Sequence, residues 1–412
     1  MTIHLYAEHL VNIRTLSLQA SLSTVSNHQT KATLSADGNT LRLSHEGEVA
    51  SIKLPIRVPG GHNDATLTIP AAPTKDLSFR VSLQEKSGAN GLLTNGTHED
   101  THVIPWTATA LTAETEIACK SCNAVIIRRG QVKVWKDLPS ENWAEMMDFW
   151  HCHRPHVPHD HGNGALQKGY SADSRLALES GVGMVDPVDF VLTAEDCENI
   201  TTSTSSSEDE ALQCSSCHDL LGQTHASSGG YKLRKAHLSL SRTAQSPFVS
   251  YDAEKWLSCH LLSSIDSQGV RKFTITSTDS DNTALKLWIF TPDITVSSSE
   301  AKDAEPIRAI KILWLDSVVS PEASGNLNRE ALSEGELELP PSEMALLRET
   351  LVQSARLLPQ SAKKFQSWNV ALLPRFKSTE VESDSTTATS RPVVLEEVPD
   401  FENKEILSAL TT

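Results

Sequence analysis

The stretches "CKSC" at residues 119–122 and "CSSCHDLLG" at residues 214–222 place four of the seven cysteines in two C-x-x-C pairs. Tetrahedral zinc favours thiolates presented in this way, because a tight turn lets both sulfurs lie about 2.3 Å from one ion. Together, Cys119, Cys122, Cys214 and Cys217 would complete a closed site. We therefore predict that they bind one structural zinc ion. The alternative is two unrelated surface turns with reduced thiols.

The spacing of the two pairs predicts a long-range cross-link. Cys122 and Cys214 are 92 positions apart, far beyond the roughly 15–20 residues of a compact zinc ribbon. A metal held by both pairs would join strands that are distant in sequence, close a long loop and add stability through metal binding. A thioredoxin-like redox motif is disfavoured, because neither pair opens a helix in a βαβ pattern.

Composition and charge restrict the class of protein. The chain has 412 residues and a formal net charge of −16, which argues against a basic surface for direct contact with nucleic acid. The first residues do not form a secretory signal, and no run of eighteen apolar residues predicts a membrane span. With seven cysteines and no signal peptide, we expect reduced thiols and a cytoplasmic or nuclear location.

Hydrophobic patterning predicts an α+β fold that is mostly β. Apolar residues alternate with period two in runs near residues 41–43, 52–58 and 77–83, and again near 273–275, 285–289 and 310–314. We predict a β-rich region at 1–100, a cysteine-rich core at 101–240 with a disordered insert at about 198–210, and a mixed β/α region at 241–412. Within the last region, 320–341 and 377–392 are predicted to be flexible.

Two helices and one hairpin are predicted in the middle and C-terminal regions. Ser140 is a good N-cap for a helix with an apolar face that includes Trp143 and Trp150, and a second amphipathic helix begins at about Ser342. Residues 124–127 and 131–135 are predicted to pair as a hairpin across "RRG".

Cys152 follows the first of these helices and has three interpretations. Thioester chemistry requires an accessible thiolate, but the C-terminal end of a helix raises a thiol pKa, whereas a protonated or basic imidazole such as His153 would assist. The dipeptide could instead supply zinc ligands or form a buried pair, and the third alternative is an incidental loop cysteine.

The order of these motifs carries a family resemblance. "CKSC", then "LPSENWAEMMDFWHCH", then "CSSCHDLLG" resembles the HECT-like ubiquitin-protein ligases that bind ubiquitin-conjugating enzymes. The resemblance implies that the four paired cysteines match the paired family cysteines, and that Cys152 and His153 match the family's W-x-C-H pair, with Cys152 as a candidate ubiquitin acceptor. The last cysteine is Cys259, so the chain departs from a standard HECT domain, whose acceptor lies near its C-terminus.

The resemblance also implies the partners. The leading hypothesis is a ubiquitin-protein ligase that recruits a charged ubiquitin-conjugating enzyme and promotes transfer of ubiquitin to a substrate lysine. The alternative is a non-catalytic, zinc-stabilised adaptor, since some family members are linked to the nuclease of messenger-RNA 3′-end cleavage and polyadenylation. Such an adaptor would bind that nuclease or a conjugating enzyme and transfer nothing.

Overall fold

A computed structural model describes residues 3–58, 65–70, 72–83, 103–138, 178–203, 210–225, 228–279, 283–318 and 334–385. Within these ranges the strands form four sheets, most of whose pairings are antiparallel. The same ranges contain helices α1 (Ala253–Gln268), α2 (Pro341–Ser354) and α3 (Ser378–Ser385). The predicted α+β, mostly β class is confirmed.

The strands are numbered in chain order. Before residue 100 they are β1 (Ile3–Leu10), β2 (Thr15–Leu22), β3 (Lys31–Leu34), β4 (Thr40–His45), β5 (Glu48–Lys53), β6 (Ala65–Leu67) and β7 (Asp76–Ser82). The next ten are β8 (Glu116–Cys119), β9 (Val125–Ile127), β10 (Val134–Asp137), β11 (Val182–Val185), β12 (Asp189–Leu192), β13 (Ile200–Ser203), β14 (Ala211–Cys214), β15 (Leu220–His225), β16 (Gly230–Arg234) and β17 (Leu238–Ser241). The last six are β18 (Lys272–Ser277), β19 (Thr283–Ser298), β20 (Ile307–Val318), β21 (Glu334–Leu339), β22 (Lys364–Phe365) and β23 (Trp368–Pro374).

The nine-stranded sheet joins the two ends of the described chain. Its main path runs β22-β23-β20-β19-β1-β2-β7, and β18 pairs with both β19 and β21. The sixteen-residue strand β19 makes this possible, because its first half pairs with β18 and its second half with β1. Early and late strands therefore share one hydrogen-bonded sheet. The domain boundaries near residues 100 and 240 stay predictions.

The N-terminal core lies between strands β1, β2 and β7 and the four-stranded sheet β5-β4-β3-β6. Leu41 and Leu43 of β4 are buried, as are Leu77 and Phe79 of β7, as the period-two pattern predicts. Strand β5 ends sooner than the pattern suggests. The amides beyond it bond to a neighbouring loop instead, and Val58 donates to the Gly38 carbonyl at 2.9 Å.

Helices α1 and α2 pack on one face of the nine-stranded sheet. Met344, Leu347 and Leu351 of α2 are buried against it, which confirms the amphipathic helix predicted near Ser342. Helix α1 was not predicted. It begins after Asp252 and ends at Gly269, which adopts φ 67° and donates its amide to the Ile265 carbonyl at 2.8 Å.

The middle region contains a seven-stranded sheet, β10-β11-β12-β16-β15-β14-β13, and a three-stranded sheet, β17-β8-β9. Both contribute to a single apolar core that includes Trp106, Phe190 and Trp256. The predicted hairpin between residues 124–127 and 131–135 does not form. Strand β9 pairs with β8, whereas β10 pairs in parallel with β11.

Parts of three ranges that were predicted to be disordered or flexible form regular structure, and residues 204–209, 320–333 and 386–392 of those ranges lie outside the described residues. Within 198–210, Ile200–Ser203 form β13, because they pair with β14 and Ile200 packs on the core. Within 320–341, β21 runs parallel to β18 and buries Leu339. Within 377–392, α3 is anchored by an ion pair of 2.9 Å between Glu380 and Lys255. No helix in the described ranges combines the length and apolarity needed to cross a bilayer.

Candidate metal centre

Two matching turns carry the four paired cysteines. Cys119 ends β8 and Cys122 lies in the turn towards β9, while Cys214 ends β14 and Cys217 lies in the turn towards β15. Cys119 and Cys214 are buried, Cys217 is half-buried and Cys122 is exposed. Each pair therefore has one sulfur anchored on a strand and one on a turn.

The two turns have the same backbone geometry. Asn123, which follows Cys122, adopts φ 60° and donates its amide to the Cys119 carbonyl at 2.9 Å. His218, which follows Cys217, adopts φ 62° and donates its amide to the Cys214 carbonyl at 2.8 Å. The amide of each first cysteine donates in turn to the carbonyl of Ala124 or Asp219. Asn and His tolerate this left-handed conformation better than most residues. The local sequence thus forms the same tight turn twice.

The four sulfurs converge on one point. The Cys119 and Cys217 sulfurs are 3.6 Å apart, as are those of Cys122 and Cys214, and all four lie within 4.8 Å of one another. Sulfurs about 2.3 Å from a central ion would lie about 3.8 Å apart in a tetrahedron, whereas disulfide sulfurs lie about 2.05 Å apart. The arrangement suits a closed tetrahedral site, and the four cysteines could hold a metal ion.

Backbone amides donate to the strand-borne sulfurs. Burial raises the pKa of the Cys119 thiol to about 12, although the amides two and three positions further along oppose it. At Cys214 burial acts in the same direction, but the equivalent amides and neighbouring cysteines outweigh it, and the pKa falls to about 7. Such N–H···S bonds favour the thiolate, which is the form that ligates a metal.

The cluster lies where two sheets meet. The first turn belongs to the three-stranded sheet and the second to the seven-stranded sheet. Asn199 bridges them, because its side-chain amide donates to the Val125 carbonyl at 2.8 Å and its own carbonyl accepts from the Ser215 amide at 2.9 Å. A bound ion would therefore add a link between the two sheets.

Lys235 lies in the aromatic part of the core to which both sheets contribute, and the sequence patterns did not predict it. Its ammonium donates to the Trp106 carbonyl at 3.1 Å and lies over the rings of Phe190 and Trp256, 5.0 and 5.6 Å from their centres. Burial lowers the pKa of Lys235 to about 8. No local motif marks such a lysine, because its partners come from distant segments.

The two other cysteines in the described ranges, Cys197 and Cys259, do not belong to the cluster. Cys259 is buried in α1 and Cys197 is half-buried against the same core, and burial raises the pKa of each thiol to about 12. Cys152 and His153, together with the helix predicted after Ser140, lie outside the described residues.

A family model described as "HECT-like Ubiquitin-conjugating enzyme (E2)-binding" matches residues 8–370. The chain is 28% identical to uncharacterized protein YJR141W of Saccharomyces cerevisiae over 65% of this chain and 71% of the relative. It is 26% identical to uncharacterized protein C1734.10c of Schizosaccharomyces pombe over 68% of this chain and 80% of the relative. No solved structure matches the chain.

Proposed function

Since the chain belongs to the HECT-like family that binds ubiquitin-conjugating enzymes (E2), we propose that it is a ubiquitin-protein ligase. It recruits an E2 that carries ubiquitin as a thioester and promotes transfer of the ubiquitin to a substrate lysine. The observation that supports this proposal is the family match, which spans residues 8–370 and includes all four paired cysteines. We place this activity in a reducing compartment, the cytoplasm or the nucleus, where free thiols persist.

The metal in this proposal is zinc, and its role is structural. Four thiolates in a tetrahedral arrangement suit zinc or an iron–sulfur cluster, and the closed cluster leaves no ligand position open for substrate. Elemental analysis of the reduced protein tests the assignment. One equivalent of zinc per chain supports it, whereas less than about half an equivalent, or iron with labile sulfide, contradicts it.

The acceptor in the more specific version of the proposal is Cys152, with His153 as its base. Four of the seven cysteines form the cluster. The half-buried Cys197 and the buried Cys259 have raised thiol pKa values that disfavour a thiolate nucleophile. Among the seven, Cys152 is the candidate that these arguments leave. Its family match to the W-x-C-H pair agrees with this assignment.

In this version, which we call the Cys152 relay, ubiquitin passes through Cys152 in two acyl transfers. The Cys152 thiolate attacks the thioester carbonyl of the charged E2, a new carbon–sulfur bond forms, and the E2 cysteine leaves as a thiolate. The substrate lysine amine then attacks the Cys152 thioester, an amide forms, and Cys152 leaves as a thiolate while the amine loses a proton to a base. In the less specific version the protein only orients the E2 thioester and the lysine.

A discharge assay with a panel of charged E2 enzymes tests the proposal. Wild-type protein is expected to accelerate loss of ubiquitin from at least one E2, and Cys152→Ser to abolish the acceleration. Serine can trap ubiquitin as an oxyester that survives reductant, which a thioester does not. Cys197→Ala is the matched control, because it removes a cysteine that belongs neither to the cluster nor to the proposed relay.

Each outcome distinguishes one version from the others. Full acceleration by Cys152→Ser would contradict the relay and support orientation of the donor. A stable complex with an E2, or with a messenger-RNA 3′-end nuclease, and no discharge above background would contradict the ligase and support the adaptor.

A further inference from the structure

A cavity of ≈ 270 Å³ lies between the end of β16, the 3₁₀ turn Lys235–His237 and the first turns of α1 and α2. Its apolar walls include Val188, Leu257 and Leu346. An apolar cavity of about 150 Å³ admits benzene. The larger space here therefore has room for one ring or two fused rings.

Buried polar atoms without a hydrogen bond concentrate at this cavity. Seven side-chain nitrogen or oxygen atoms in the described part of the chain are buried without a hydrogen bond, and four belong to residues that line it. These are His237 Nε2, Trp256 Nε1, His260 Nδ1 and Glu343 Oε1. Glu343 Oε1 is ion-paired with Arg234, so the indole and the two imidazole nitrogens are the three without a polar partner. Trp256 is 2% exposed and Glu343 is 7% exposed. Folded proteins pair nearly all such atoms with protein, ordered water or ligand, so the occupant should carry a hydrogen-bonding group.

The charged groups around the cavity are already balanced. Arg234 Nε lies 3.2 Å from Glu343 Oε1 and 3.8 Å from Asp189 Oδ1. Lys232 Nζ lies 3.4 Å from Asp189 Oδ2. Two cations therefore face two carboxylates. A charged ligand would be desolvated here without a counter-ion, which is strongly unfavourable.

The imidazoles add no charge near neutral pH. Burial and the nearby Arg234 guanidinium lower the pKa of both His237 and His260, that of His260 to about 4. Each neutral ring offers one donor and one acceptor. The cavity thus combines apolar walls with uncharged hydrogen-bonding groups, the usual composition of a small-molecule site.

We propose that this cavity binds a small uncharged aromatic molecule of one or two fused rings that carries an N–H or O–H group. The proposal does not depend on the ligase function, because the cavity is built from β16, α1 and α2 and contains none of the clustered cysteines.

Ligand-observed NMR titration of the full chain tests the proposal with two probes of the same shape, indole and indene, which lacks the N–H. Indole should bind saturably with a dissociation constant on the order of 1 mM or tighter. Indene should bind about tenfold more weakly, because it lacks the N–H that indole can donate to an unpaired imidazole nitrogen of His237 or His260. Leu346→Trp fills the cavity and should weaken indole at least about tenfold. Val352→Trp, on an exposed position of the same helix, is the matched control and should leave it unchanged.

Three results would overturn the proposal. They are no saturable binding of indole to folded wild-type protein, equal affinity for Leu346→Trp and wild type, and binding of benzoate or benzylammonium as tight as that of indole. Thermal melting establishes that each variant is folded. If Leu346→Trp does not fold, Ala236→Leu fills the same cavity from the 3₁₀ turn and is subject to the same criteria.

Discussion

Replacing one exposed ligand separates the metal from packing in the stability of this protein. Cys122 is exposed, so Cys122→Ser removes a sulfur without removing core contacts, and a surface change of this kind costs within about 0.5 kcal/mol. A much larger loss must come from the metal. Ser121→Ala lies in the same exposed turn and is the matched control, because it alters one side-chain atom and keeps all four thiols.

The structure sets the magnitude. A metal bound by the four cysteines would join residues 98 positions apart, as in the Cys119–Cys217 contact. Cross-linking a loop of roughly 100 residues destabilises the unfolded chain through lost entropy by about 4.7 kcal/mol. Metal at about a thousand times its dissociation constant stabilises the folded state by about 4.1 kcal/mol. The first figure applies if the metal stays bound in the unfolded chain, and the second applies if it binds the folded state alone. In either limit the expected loss is about 4–5 kcal/mol.

Urea unfolding followed by tryptophan fluorescence measures this loss. With a slope of about 3 kcal/mol per molar urea, the midpoint for Cys122→Ser should fall by about 1.5 M. Wild type stripped by a chelator should move the same way, and Ser121→Ala should remain close to wild type. An unchanged midpoint for Cys122→Ser, measured against wild type that holds a full equivalent of metal, would refute the reasoning.

Three further outcomes are expected. The pKa of His260 is lowered to about 4 in the folded protein, against 6.5 in the unfolded chain, so the unfolded chain takes up the proton first as the pH falls. This group should lower the free energy of unfolding by about 3 kcal/mol between pH 6.5 and pH 4. Urea titrations at several pH values should show a flatter dependence for His260→Leu. A Cβ at Gly222 would lie 2.0 Å from the Lys232 carbonyl oxygen, whereas one at Gly130 meets nothing within 4 Å. Gly222→Ala should therefore abolish soluble folded protein. Gly130→Ala is strained only by its positive φ and should lower the free energy of unfolding by about 1 kcal/mol, which unfolding followed by circular dichroism would report. Asn199→Gly keeps a left-handed backbone accessible and keeps the carbonyl that accepts from Ser215, but it removes the side-chain bond to Val125 that completes the bridge between the two sheets. Metal release to a chelator should accelerate about tenfold, and an unchanged rate would show that this bond does not support the centre.

Local sequence was sufficient where the deciding interactions are local. Each C-x-x-C pair forms its turn from its own backbone hydrogen bonds, so the residue types predicted the turns directly. The amphipathic helix α2 was predictable for the same reason, because Met344, Leu347 and Leu351 recur at helical spacing. Helix α1 escaped prediction because serines interrupt its apolar face, although Asp252 before it and Gly269 after it are helix-end signals that would have found it.

Strand pairing was not local, and here the patterns misled. Residues 124–127 and 131–135 are close enough in sequence to suggest a hairpin. The structure pairs β10 in parallel with β11 instead, and Trp135 lies beside Gly183, where a Cβ would come 2.5 Å from the indole ring. A strand takes the partner whose side chains fit its faces, and that partner can lie far along the chain.

By itself, the sequence determined the mostly β class, the family, and the four cysteines able to share one metal ion. These rest on residue type, short spacing and hydrophobic period, which act over a few positions. Only the tertiary structure decided that the cysteine turns belong to different sheets, that early and late strands share one sheet, and that Arg234, His260 and Glu343 surround one cavity. Those features depend on contacts between segments tens to hundreds of positions apart, and no local pattern specifies which distant surfaces will meet.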